Sequence, residues 1–213
     1  MKQIFLACVA LVCVQAAFAQ SDRYVNAMKK NIAMLDSVPV KSNFDELSNN
    51  FLRIGDAEKS QWLPYYYAAY VTALQGVMER DLNKKDQIAD YASEILKKAE
   101  NILNKENSEI EVIKSMIATA HMTVDPQSRY MTYGQEISEA IAKSKQLDST
   151  NPRPVLIQAQ NLYYTPEFAG GGKDVARPLF EKAQQLFAFF KPETEISPNW
   201  GKSTVEFYLK SYK

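Results

Sequence analysis

Ala176-Arg177-Pro178-Leu179-Phe180-Glu181-Lys182-Ala183 and Ala92-Ser93-Glu94-Ile95-Leu96-Lys97-Lys98-Ala99 share one spacing: small, large four positions on, small three further. At 3.6 residues per turn those three positions fall on one helix face. Narrow side chains there let two helices approach closely, and the large one fills the gap to the next helix. Ile137-x3-Ile141-x2-Ser144 repeats the spacing more loosely, with Ile137 where a small residue is wanted. The pattern predicts antiparallel helix hairpins stacked one on the next.

Hydrophobic periodicity extends that reading in both directions. Apolar residues recur at three- and four-residue spacing over 22–36, 43–54, 60–78, 85–104, 108–123, 128–147, 153–163, 174–190 and 204–212. No alternating strand pattern competes with them. Pro39, Pro126, Pro152, Pro154, Pro166, Pro192 and Pro198 fall between segments. Pro64 and Pro178 fall near segment starts, where a missing N–H matters little. The expected fold is all-α: about four stacked antiparallel pairs and a short C-terminal helix.

The N-terminus carries a different signal. Residues 1–19, MKQIFLACVALVCVQAAFA, place Lys2 before an apolar run and end on Ala17-Phe18-Ala19. This is the pattern of a cleavable secretory signal. The run is too short to span a bilayer, and no later stretch is long enough, so no stable membrane span is expected after cleavage. The expected location is the periplasm or the exterior. Residues 20–213, undivided by any Pro/Ser-rich linker, read as a single domain. Cys8 and Cys13 leave with the signal, so no disulfide, cysteine nucleophile or cysteine metal site is expected. Loss of Lys2 leaves 24 basic residues against 25 acidic ones, without a basic stripe, which argues against a nucleic-acid partner.

The small-large-small copies, with the Leu147-Asp148-Ser149-Thr150-Asn151-Pro152 turn, resemble the tetratricopeptide-repeat superfamily. The resemblance is clearest over residues 85–190. The copies are degenerate: Ala92 to Ile137 is 45 residues and Ile137 to Ala176 is 39, against a period of about 34. The Trp-x2-Leu-Gly opening is absent, and tyrosines follow Trp62 instead. The stretch from Asn151-Pro152-Arg153-Pro154 through Tyr163-Tyr164-Thr165-Pro166-Glu167-Phe168 to Gly170-Gly171-Gly172-Lys173 is similar to small exported repeat-like proteins of Gram-negative bacteria. That resemblance implies a stack of helix pairs with a concave face able to bind peptides or helices. It implies no chemistry.

Candidate sites are few. Trp62, Tyr65, Tyr66, Tyr67 and Tyr70 concentrate aromatics on one segment. They read first as inter-helix core and second as the lining of a groove. Three of the seven glycines, Gly170, Gly171 and Gly172, share one loop. It reads first as a tight hairpin with Phe168 tucked into the core, and second as a ligand-contacting loop beside Tyr163 and Tyr164. Gly201-Lys202-Ser203-Thr204 resembles the end of a P-loop but lacks the first glycine and the preceding strand, so Ser203 or Thr204 reads as a helix cap. His121, the lone histidine, reads as a cap on backbone carbonyls. Glu106, Glu109 and Glu111 read as a solvated helix start. No metal, cofactor or catalytic group is indicated. The expected protein is a non-enzymatic binder of an unknown protein or peptide. The alternative is a small-molecule binder whose pocket is lined by the aromatics and the glycine loop.

Overall fold

The computed structural model describes residues 22–35 and 43–212. The expected export signal at 1–19 and the breaker Pro39 lie outside the described residues. Among the described residues every regular element is helical: α1 (22–35), α2 (Phe44–Glu58), α3 (Leu63–Met78), α4 (Leu82–Leu103), α5 (Ser108–Met122), α6 (Pro126–Arg129), α7 (Gln135–Leu147), α8 (Arg153–Tyr164), α9 (Lys173–Phe189) and α10 (Lys202–Lys210). No described helix is long and apolar enough to cross a membrane.

The helices pack in neighbouring pairs: α3 on α4, α5 on α7, α8 on α9. Successive pairs join through an inner row in which α3 touches α5 and α5 touches α8. α2 packs on α3 at one end, and α10 closes the other end against α9. The small-large-small faces form the seams. Ala92, Ala99, Ala176, Phe180, Ala183 and Ser144 have no exposed surface. α2 carries a further version, Ser48-x3-Leu52-x2-Gly55, with Ser48 and Gly55 buried. A Cβ on Gly55 would stand 2.8 Å from the Tyr65 ring, so this glycine lets α2 nest directly on α3. That contact explains why α2 runs on to Glu58 rather than ending at Ile54.

Helix starts follow local chemistry. Asp81 accepts hydrogen bonds from the N–H groups of Asn83 and Lys84, which starts α4 three residues earlier than the apolar pattern suggests. Asn107 caps α5 in the same way. The continuous helix expected over 128–147 is broken at Tyr130–Gly134 by a π-turn. The extra residue lets Tyr133 stack on His121, with centroids 5.0 Å apart, while Arg129 reaches Asp86.

Between α9 and α10, residues 190–201 run as a strap across the inner row. The Tyr67 hydroxyl donates to the Ile196 carbonyl at 3.0 Å, and Trp200 stacks on Tyr70 with centroids 4.2 Å apart. Lys29 of α1 pairs with Glu195 at 2.9 Å. The strap occupies the face on which a helical repeat would seat a peptide.

Candidate functional site

A cavity of about 570 Å3 opens where the α4–α5 turn, the α7–α8 turn and the C-terminal end of α9 meet the strap. Its apolar walls come from Trp62, Leu186, Phe189, Phe190 and Pro192. Phe189 is 86% exposed. Lys105 and Lys191 contribute the cationic groups. The polar floor is Glu109, Asn151 and Arg153.

That floor is a densely connected polar cluster. The Arg153 side chain is buried, and its Nε–H is shared between Glu109 Oε1 and Oε2 at 2.8 and 2.9 Å. Its remaining donors reach the strap carbonyls of Pro198 at 2.8 Å and Trp200 at 3.4 Å. Asn151 donates to Glu109 Oε1 at 2.7 Å and the Tyr66 hydroxyl donates to Oε2 at 2.7 Å. Trp200 Nε1–H in turn donates to the Tyr66 oxygen at 2.9 Å. Burial opposes the charge on Arg153, but the Glu109 carboxylate together with Tyr66 and Tyr67 outweighs it and holds the guanidinium above its ordinary pKa. Burial first, then the Glu109 charge, pushes the Tyr66 phenol well up, so it stays a neutral donor. Burying the Arg153 charge is tolerated because both oxygens of its half-buried partner carboxylate accept further hydrogen bonds.

Of the candidates drawn from the sequence, Trp62 lines the cavity and Tyr66 supports its floor from below. Tyr66 and Tyr67 are fully buried, and Tyr65 and Tyr70 nearly so. The strap covers Tyr66, Tyr67 and Tyr70, while Tyr65 packs on α2 and donates to Asp56 at 2.8 Å. These tyrosines are therefore core, not an open groove. The glycine loop lies at the opposite end of α8 and α9, roughly 18–25 Å away by helix rise. It is a hairpin: Gly170 and Gly172 take φ of 81° and 109°, and the Gly172 N–H donates to the Leu162 carbonyl at 2.8 Å. Phe168 is not tucked into the core but 93% exposed. Tyr163 sits in a terminal aromatic cluster with Phe180, Tyr208 and Tyr212, and Tyr164 shares a hydrogen bond with the Tyr208 hydroxyl.

Three further expectations need correction. Glu109 faces inward, because Arg153 and Tyr66 draw its carboxylate away from solvent; Glu111 is also half-buried and pairs with Lys114, and only Glu106, paired with Lys143, is solvated as expected. His121 caps no carbonyl. Its Nδ1 lies 2.7 Å from Asp86 Oδ1, and Nε2 lies 3.6 Å from Asp90 Oδ1. Neither Ser203 nor Thr204 caps α10; Gly201 does, at a φ of 107°. A Cβ there would meet Leu156 at 2.8 Å and Phe187 at 2.9 Å, which accounts for the glycine without a phosphate. Among the described residues no cluster of three His, Cys, Asp or Glu side chains could hold a metal ion.

A second cavity of about 590 Å3 lies between α4, α5 and α7, with His121 and Tyr133 on its lining. Its floor of Leu96, Ile117, Ala118 and Ala140 is ringed by charges, of which Lys114 is bound to Glu100 and Glu111 and Lys143 to Glu106. It offers no aromatic wall comparable to Trp62, Phe189 and Phe190.

The sequence reading missed Phe189, Phe190, Lys105, Lys191, Glu109 and Arg153 as site residues. The one local signal was an aromatic pair at the end of α9, off the buried Ala176–Phe180–Ala183 face.

Among solved structures, the HusA haemophore from Porphyromonas gingivalis is 35% identical to this chain. The match covers 89% of this chain and 92% of that one, with a TM-score of 0.76. The chain belongs to the HusA family. No family model and no curated protein matches it.

Proposed function

We propose that this protein is a non-enzymatic, exported carrier of haem or a closely related planar tetrapyrrole, built on tetratricopeptide-like helix pairs. The observation that carries the reading is the likeness to a haemophore across nearly the full length of both chains. The cavity suits such cargo. Its volume falls within the roughly 300–1,000 Å3 of small-molecule sites. Trp62, Phe189 and Phe190 offer flat apolar faces for a macrocycle, and Lys105 and Lys191 offer cations for its carboxylates. The strap over the inner row favours this reading over a peptide adaptor, whose binding face it would obstruct. The sequence of residues 1–19 supports export.

The lining contains no His, Cys, Met or Tyr. Stacking and charge pairing therefore supply the affinity, and metal-free protoporphyrin should bind about as tightly as hemin. Titration of the purified protein with each, followed by the Soret band, is expected to saturate at one equivalent. Trp62→Ala should weaken both by roughly tenfold or more, as loss of one buried aromatic contact does. Absence of saturable binding by either macrocycle would refute the carrier reading.

A further inference from the structure

We propose that the ion pair of the buried Arg153 with the half-buried Glu109 is a latch that assembles the ligand cavity by seating residues 190–201 across the inner row; this rests on the carrier reading above. The strap supplies Phe190, Lys191, Pro192, Glu193, Ser197 and Pro198 to the lining, so one side of the cavity exists only while the strap is seated. Arg153 holds both ends of that segment. Its guanidinium lies 4.5 Å from the Phe190 ring centroid at the start of the strap. Near the strap's end it donates to the Pro198 and Trp200 carbonyls. Glu109 fixes the guanidinium from the α5 side and, through the Tyr66 hydroxyl, also meets the Trp200 indole. The network thus joins α3, α5, α8 and the strap at one point.

The choice of a charged pair here is informative. Apolar side chains of the same volume would fill the space with no desolvation cost, and such replacements are often neutral or stabilising. What they cannot do is hold two backbone carbonyls in a fixed register. A planar fork with several donors can. Arg153 is therefore a positioning residue that acts on the ligand through the strap.

Trp200 reports on the strap directly. It is 8% exposed and stacked on Tyr70, and Trp62→Phe leaves it the sole tryptophan of the chain. The test uses Glu109→Gln/Arg153→Met, which removes both charges at similar volume, and Arg153→Lys, which keeps the charge but not the fork. Trp200 emission is measured in the Trp62→Phe background; hemin titration is done with Trp62 in place, and far-ultraviolet circular dichroism checks the helices. With the helices retained, the double variant should show red-shifted Trp200 emission and hemin affinity at least about tenfold weaker. Arg153→Lys should move both readouts in the same direction. Asp86→Asn, which breaks an acid–arginine pair remote from the strap, should move neither.

Unshifted emission with weakened hemin binding would mean that the pair touches the ligand itself, and would overturn the latch. Shifted emission with unchanged affinity would overturn it too, by showing a cavity independent of the strap. If the double variant loses its helices, Arg153→Lys decides by the same two readouts. If the unaltered protein binds no hemin, the carrier reading fails; Trp200 emission still decides whether the pair seats the strap.

Discussion

Gly55 and Tyr65 show how much of this structure is decided by single atoms. The helix α2 could not approach α3 if residue 55 carried a side chain, because its Cβ would overlap the Tyr65 ring at 2.8 Å. That ring cannot retreat freely, since its hydroxyl is bound to Asp56 and Lys98 lies over its face. Gly55→Ala trades a small gain in helix propensity for overpacking of a closed seam. The expected net loss is about 1–3 kcal/mol, measured by denaturant unfolding at neutral pH. Stability equal to the unaltered protein would show that the seam can yield. Glu109 teaches the complementary lesson. A glutamate in the first turn of a helix normally faces water and the helix dipole. Nothing adjacent in sequence marks this one as different; only Tyr66 of α3 and the Asn151–Arg153 stretch at the start of α8, brought from two other places, do so.

At the scale of the element, α9 divides its two ends between different tasks. Ala176, Phe180 and Ala183 face inward and make the seam, with Phe180 stacked on Tyr208 of α10 at 4.5 Å. Its last residues, Leu186, Phe189 and Phe190 beyond it, leave the seam and reach the cavity. Two substitutions should separate these roles. Phe180→Ala is expected to cost about 3–5 kcal/mol of unfolding free energy, read from thermal or denaturant unfolding. Phe189→Ala removes an exposed ring, so it should change stability by no more than about 0.5 kcal/mol while weakening hemin binding. Equal destabilisation by both would contradict the assignment of Phe189 to the cavity. The periodicity of α9 revealed its inner face because burial imposes the 3.6-residue repeat. It could not reveal the cavity end, since an exposed phenylalanine carries no pattern of its own.

At the scale of the whole molecule, cohesion depends on a few contacts between successive pairs. Asp86 of α4, His121 of α5 and Arg129 of α6 form one such joint, with both Arg129 terminal nitrogens on the Asp86 carboxylate at 2.7 and 2.8 Å. The Arg129 hydrogen bonds chiefly, with that of His121, overcome burial and lower the Asp86 pKa from 3.8 to about 2. A carboxyl depressed in the folded state favours folding above its unfolded pKa. That contribution is complete above roughly pH 4–5 and is lost as the pH falls towards about 2. Asp86→Asn should lower stability at neutral pH and flatten the decline between pH 5 and 2, followed by denaturant midpoints across that range; an unchanged acid limb would place the sensitivity elsewhere. Most of the helices and the seam residues of α4, α7 and α9 were legible in the sequence by itself, because helical faces repeat every few residues; the Ser48–Gly55 seam of α2 and the break at Tyr130–Gly134 were not. The tertiary structure alone decided that the tyrosines of α3 are covered, that Glu109 meets Arg153, and that Trp62, Phe189 and Lys105 share one cavity. Those contacts join residues 129 apart for Tyr67 and Ile196, 134 for Tyr66 and Trp200, and 44 for Glu109 and Arg153. Over such separations no local periodicity links the partners, and only the packed stack brings them together.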